Sequence, residues 1–228
     1  MQIGELSIKV VFVNLSFRQD RRIELLELLD SLNIEAERSL GIHASWVSDP
    51  RGFQNSQRYA CSLAKRIAIR KGMSSGADAV LLLEDDLAFH PEFTTRLENI
   101  VLPPKWGLFY LGCRHCRCPK MYSKNIVVCE RATDNHAVII HRDYYGPIMR
   151  GLSGSKRGAL PTFAYSDLKL AEMQNIIPSF AVFPNLVWQK VSHSNTSGFA
   201  LSNYFEDGRQ ILNSDIMAEF ELQMESAF

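Results

Sequence analysis

Three acids in a row, Glu84-Asp85-Asp86, follow the apolar run Ala79-Val80-Leu81-Leu82-Leu83. Adjacent carboxylates repel, and burying any of them is costly. At the carboxyl end of a buried strand such a set has one common physical use, which is to hold a hard divalent cation. Mg²⁺ or Mn²⁺ prefers oxygen ligands and takes one or two carboxylates together with substrate phosphates. The ion then neutralises charge on a departing phosphate. The plainer alternative is a solvated acidic turn that caps the next helix.

A second cluster is made of thiols. Cys113, Cys116, Cys118 and Cys129 fall within 17 residues of sequence, CRHCRCPKMYSKNIVVC. Four thiolates can bind Zn²⁺ tetrahedrally, and Cys113-x-x-Cys116 has the usual pair spacing, with His115 as a substitute ligand. No matching second C-x-x-C pair follows, so a loop of reduced thiols is the alternative. Such a zinc would staple a loop and take no part in chemistry. Cys61 is expected in a helix core.

The elements that must position these groups alternate. Ile8 to Leu15 is β-branched and apolar and predicts a buried strand. Residues 18–32 carry Ile23, Leu26, Leu29 and Leu32 near helical spacing. A short strand is expected within 34–42. Asn55 or Ser56 caps a helix running to about Met73. Ala79 to Leu83 reads as a strand, and His90-Pro91-Glu92 opens a helix. Residues 106–112 and 132–141 read as strands, 144–150 and 163–173 as helices, and 179–187 as a strand. The last ~15 residues suggest an amphipathic helix. Strand and helix alternation predicts an α/β fold with a mostly parallel central sheet flanked by helices, in a single domain spanning 1–228. Ligands of such sheets gather at the carboxyl ends of the strands, where the three acids fall.

Composition narrows the function. The 228 residues are 46% apolar and 22% charged, with 25 basic and 25 acidic side chains. That balance argues against a nucleic-acid partner. No apolar run approaches the ~18 residues of a membrane span, and the start of the chain reads as a strand and not as a signal peptide. A soluble, cytoplasmic protein is expected, with peripheral membrane contact left open. The odd number of cysteines fits a reducing compartment.

Five stretches, in order, resemble glycosyltransferase family 25, which includes lipopolysaccharide galactosyltransferases. VFVNLSFRQDRR (11–22) resembles its opening strand and loop through Asn14-Leu15, Arg18 and Asp20-Arg21. AVLLLEDDLAFHPEF (79–93) resembles its Leu-Glu-Asp-Asp segment. WGLFYLG, HAVIIHRDYYGPIM and YSDLKLAEM followed by IPSFAVFPNLVWQ resemble its later strands and its late acid-bearing helix. The resemblance covers roughly residues 8–190. It departs at Ala64-Lys65, where the family has Ser-His after the mid-chain Cys, and in the loop 113–131.

The resemblance implies a GT-A type fold and inverting transfer of a hexose, galactose or glucose, from a UDP-sugar. The acceptor would be a hydroxyl of a glycan or glycolipid such as a lipopolysaccharide core. It divides the domain into a nucleotide-sugar half (8–112), a Cys-rich insertion (113–131) and an acceptor half with a C-terminal helix (132–228). Asp86 would meet Mn²⁺ or Mg²⁺ directly. Glu84 and Asp85 would hold ribose or donor sugar, with Glu84 also able to reach the metal, and His193 would complete its shell. Asn14 and Arg18 would dock the nucleotide, and Lys65 could meet a phosphate as a point charge. Arg21 and Arg22 are expected on a solvated first helical turn. Asp167 matches the family's late acid and would be the general base, with Asp134 in reserve.

Two other classes compete with this one. A metal-dependent phosphotransferase or nucleotidyltransferase would use the same acids, though the chain has no P-loop. A non-catalytic module, either zinc-stapled or binding sugar nucleotide without turnover, would fit the Ala64-Lys65 departure.

Overall fold

The computed structural model describes residues 1–162 and 165–190, together with the backbone of Ser192–His193 and Ala200–Leu201. The C-terminal helix expected from the sequence and the side chain of His193 lie outside the described residues. The elements in chain order are β1 (Gln2–Ile3), β2 (Leu6–Asn14), α1 (Gln19–Ser31), β3 (Glu37–Leu40), α2 (Ser56–Ser75), β4 (Ala79–Leu83), β5 (Leu87–Phe89) and α3 (Phe93–Glu98). Then follow β6 (Leu108–His115), β7 (Lys120–Ser123), β8 (Ile126–Val128), β9 (Ala132–His141), α4 (Tyr145–Gly151), α5 (Ser166–Met173), β10 (Ser179–Val182) and β11 (Val187–Gln189).

Nine strands form one sheet in the order β1-β2-β4-β9-β6-β10-β8-β7, with β3 also paired to β2, along Val11–Asn14. The β3-β2-β4 block is parallel, as is the β6-β10 pair. Between them β9 runs antiparallel to both β4 and β6. The sheet is therefore mixed where a mostly parallel one was expected. Alternation of strand and helix reports parallel crossovers, but it does not say which strand returns through the middle.

Both faces of the sheet are buried, which is why its strands are continuous apolar runs rather than alternating ones. Val10, Phe12, Leu81, Leu83 and Phe109 pack with Leu25 and Leu29 of α1 and Phe93 of α3. On the other face Val11, Val80, Leu82 and Tyr110 pack with Ala68 and Ile69 of α2, Ile148 of α4 and Leu170 of α5. The Asn55 side chain accepts the Arg58 N–H to start α2. Gly76, at φ +74, ends it in the left-handed conformation that glycine adopts without penalty.

The segment 113–131 is part of the sheet. β7 and β8 pair as a hairpin, and β8 pairs with β10. The strand expected at 179–187 is two strands. β10 stays in the main sheet, while β11 leaves it to pair with β5. Among the described residues no helix is long and apolar enough to cross a membrane.

Candidate functional site

The carboxyl ends of β2, β3 and β4 open on a pocket of about 430 Å³. Its apolar side comes from Val13 of β2, Leu15 and Phe17 after it, Ile42 after β3, and Ala60 and Ala64 of α2. Its polar side comes from Lys65, Glu84, Asp85, Asp86, Asn135 and Gln189. At the mouth, Phe17 meets the ring of His43 edge-on at 5.9 Å, and His43 meets Trp46 at 6.4 Å. Phe17 and Trp46 are both exposed.

The three acids are not a solvated turn. Arg21, only 8% exposed, places one guanidinium nitrogen 2.9 Å from Asp85 Oδ1 and 2.8 Å from Asp86 Oδ2. Asn14 Nδ2 donates to Asp85 Oδ2 at 2.7 Å and to the Arg18 carbonyl at 2.9 Å. Arg38 in turn donates to Asn14 Oδ1 at 2.7 Å. Gln189 Nε2 donates to Asp86 Oδ2 at 3.0 Å. Burial and the neighbouring charge of Glu84 push the Asp86 carboxyl up, against the pull of Arg21 and Gln189.

Glu84 turns towards α2. Its Oε1 lies 3.3 Å from Lys65 Nζ, and its Oε2 lies 3.9 Å from His136 Nδ1. Burial works to raise the Glu84 carboxyl, but the Lys65 charge and the His136 contact outweigh it and hold the group at about 2. Lys65 is correspondingly held protonated. Burial acts to lower it, and Glu84, Cys61 and Asp167 more than offset this. The backbone joins the two strands here, with Glu84 N–H donating to the His136 carbonyl at 3.1 Å.

Beside this lies the other acidic pair. Asp167 accepts the backbone N–H of Asp134 at 3.3 Å and of Leu168 at 3.0 Å. Asp134 pairs with Arg114 at 2.9 Å and sits at φ +53, a conformation costly for a residue with a side chain. Burial pushes the Asp134 carboxyl up, opposed by Arg114.

The expected site residues therefore separate into groups. Asn14, Glu84, Asp85, Asp86 and Lys65 converge. The Arg18 guanidinium turns away to Asp20, at 2.7 Å, and contributes only its carbonyl. Arg21, expected on a solvated turn, is the central cation of the cluster. Cys61, expected in a helix core, lines the pocket, and burial raises its thiol. Asn135, His136 and Gln189 were given no role from sequence. The only signal for Gln189 was its place at the end of an apolar strand.

The four cysteines of the zinc expectation do not gather as a set, although Cys113 and Cys129 meet as a pair. Cys113 and Cys129 are buried, and burial holds the Cys113 thiol well up. Cys113 Sγ lies 3.9 Å from His115 Nε2. Cys116 instead contacts Thr133 Oγ1 at 3.3 Å, and Cys118 the Pro119 carbonyl at 3.5 Å. Among the described residues no group of three or more His, Cys, Asp or Glu side chains is placed to hold a metal by itself.

A divalent cation shared with a ligand's phosphates is a different case. In direct ion pairs, three carboxylates (Glu84, Asp85 and Asp86) face two cations, Arg21 and Lys65. The surplus is negative, and a diphosphate entering alone would be repelled. One or two pocket carboxylates together with phosphate oxygens are the usual donor set of Mg²⁺. Glu84 and Asp86 line the pocket and fit that description.

No protein-family model and no curated protein matches the chain. Solved structures give distant likenesses. One is a glycosyltransferase involved in glycosylation of the major capsid of PBCV-1, with 12% identity over 64% of this chain and a TM-score of 0.38. The alignment spans 66% of that protein, just under two thirds of its length. A second is A197 from STIV, with 12% identity over 81% of this chain and 86% of that one, at a TM-score of 0.43. A third is the inositol-1-phosphate CTP transferase from T. maritima, with 11% identity over 94% of this chain and 76% of that one, at a TM-score of 0.38. None of these likenesses assigns a role to a residue here.

Proposed function

We propose that the protein is a glycosyltransferase that binds a nucleoside diphosphate hexose, in the manner of family 25, and passes the hexose to a hydroxyl acceptor. One observation carries this reading. Asn14, Lys65, the acids 84–86 and Gln189 come from separate stretches of sequence, and all lie at one pocket or against its carboxylates. The apolar side, with Phe17 and His43 at the mouth, suits a base. The polar side suits a diphosphate and a sugar.

A Mn²⁺ or Mg²⁺ ion held by Asp86 and Glu84 would supply charge neutralisation for the diphosphate. The chain's own residues do the rest. Lys65 stays protonated as a fixed positive charge beside Glu84. Arg21, Asn14 and Gln189 lock Asp85 and Asp86 in place, so no reorganisation is needed when the donor enters. In the transfer the acceptor oxygen forms a bond to the anomeric carbon as the bond from that carbon to the diphosphate breaks, with inversion. The acceptor proton passes to a carboxylate. Asp167 is assigned that role, being close enough to Lys65 to help hold it protonated, and Asp134, whose backbone N–H Asp167 accepts and whose carboxyl burial pushes up, is its alternate.

The test is calorimetric titration with UDP, UDP-galactose, UDP-glucose and CTP, with and without Mn²⁺, followed by an assay for donor hydrolysis. Tight binding of a UDP-hexose with slow hydrolysis is expected. Preference for CTP, with pyrophosphate release in the presence of a phosphorylated alcohol, would replace the reading with nucleotidyl transfer. Binding with neither turnover nor hydrolysis would leave a sugar-nucleotide-binding module.

A further inference from the structure

Asn135 is 3% exposed and lines the pocket, yet neither its Oδ1 nor its Nδ2 has a hydrogen-bond partner among the described residues. A buried amide with both ends unsatisfied destabilises a fold and is kept only where something else requires it. The side chain is held where it is. Its chain neighbour His136 is tied by its carbonyl to Glu84 N–H. Its other neighbour Asp134 is in the left-handed conformation, fastened by Arg114 and by Asp167. Strain and an unmet polar group on successive residues mark a segment shaped for a ligand.

Its place in the sheet says which part of the ligand. The order β3-β2-β4-β9 sets Asn135, on β9, across Glu84 from the apolar residues that follow β2 and β3. If the base takes the apolar end and the phosphates lie by the acids, the group beyond them is the sugar. A carboxamide offers one acceptor and one donor side by side, which matches a pair of sugar hydroxyls. Resting on the reading of the pocket as a sugar-nucleotide site, we propose that Asn135 is the residue that reads the hydroxyl pattern of the transferred hexose.

The experiment compares the wild type with Asn135→Ala and Asn135→Leu. It uses calorimetric titration with UDP, UDP-galactose and UDP-glucose at fixed Mg²⁺, and thermal melting of the ligand-free proteins. The variants are expected to bind UDP within about twofold of wild type, to lose about 10- to 100-fold in affinity for the preferred UDP-hexose, and to bind the two hexose epimers nearly equally. The ligand-free Asn135→Leu protein is expected to melt higher than wild type, because an unpaired buried amide has been removed. An equal loss for UDP and UDP-hexose, no loss for either, or a lower melting temperature in both variants overturns the assignment. A wild type that binds none of the three nucleotides defeats the pocket reading itself, and the assignment with it. A wild type that binds them while the variants bind unchanged defeats the assignment alone.

Discussion

Gln189 Nε2 donates to Asp86 Oδ2 at 3.0 Å, linking two residues 103 positions apart. The contact is built by the backbone. Gln189 pairs with Leu87, the residue after Asp86, in the β5–β11 ladder, and Lys190 N–H donates to the Asp86 carbonyl at 2.7 Å. The strand β11 in turn rides on β6. Leu186 N–H donates to the Leu111 carbonyl, and Asn185 bonds both the N–H and the carbonyl of Cys113.

At Gly112 β6 lies tight against β11, and a Cβ there would run into the Val187 carbonyl. Backbone cannot swing aside as a side-chain tip can. Gly112→Ala should therefore cost about 1–3 kcal/mol in urea unfolding and weaken UDP-hexose binding by moving Gln189. Gln189→Ala should weaken binding with a smaller stability loss, about 1 kcal/mol. Equal stability losses in the two variants would show that β11 is not held by that close approach.

Arg21 and Arg18 are three positions apart and differ completely in environment. Removing Arg21 leaves two buried carboxylates without their shared cation, so Arg21→Ala should cost about 3–5 kcal/mol. Arg18 is paired with exposed Asp20, so Arg18→Ala should cost at most about 1 kcal/mol. Chemical denaturation of the two variants side by side checks the contrast.

Burial and the charge of Glu84 push the Asp86 carboxyl up, against Arg21 and Gln189. Asp86→Asn, which keeps shape and removes charge, should leave the ligand-free protein as stable as wild type or more so at pH 7. On the proposed reading of Asp86 as a metal ligand, it should also lower UDP-hexose affinity by at least about tenfold in the presence of Mn²⁺. Loss of stability with affinity intact would assign Asp86 a purely structural place.

Acid should unfold the protein partly through Glu84. Its proton affinity is lowered on folding, from 4.5 to about 2. It therefore contributes stability that is complete above its unfolded value and is lost as pH falls towards about 2. Asp86 and Asp134, raised on folding, act in the opposite sense, and the load they place on the fold grows as pH rises past their unfolded values. Glu84→Gln should flatten the acid limb of a stability–pH curve, and it should also lessen the opposing load of Asp86 and Asp134, because the Glu84 charge helps to raise both. An unchanged acid limb would mean that Lys65 does not hold Glu84 in the folded protein.

Much of this was legible because it is local. The run 79–83 is apolar at every position and forms β4 as expected, and Asn55 caps α2 through its own side chain. The convergence of Asn14 with the acids followed from both lying at the ends of neighbouring strands. Arg21 was misread because its partners lie 64 residues away or more, and an arginine in a first helical turn has the same sequence signature whether it faces water or a buried acid. Asn135 left no mark at all, since a polar residue near the start of a strand is ordinary until its burial is known. The four cysteines of the zinc expectation form no group of three or more among the described residues. Cys113 lies in β6, whereas Cys116, Cys118 and Cys129 lie in the connections before β7 and after β8, which proximity in sequence does not reveal.

The reversed direction of β9 has a mechanical consequence. Because that strand enters the sheet at the end where the acids leave it, Asp134, Asn135 and His136 sit directly downstream of the β7–β8 hairpin. The hairpin is itself anchored, since Ile126 and Val127 of β8 are core residues and β8 pairs with β10. A change in its twist would therefore be passed on to those three residues and to the central packing together.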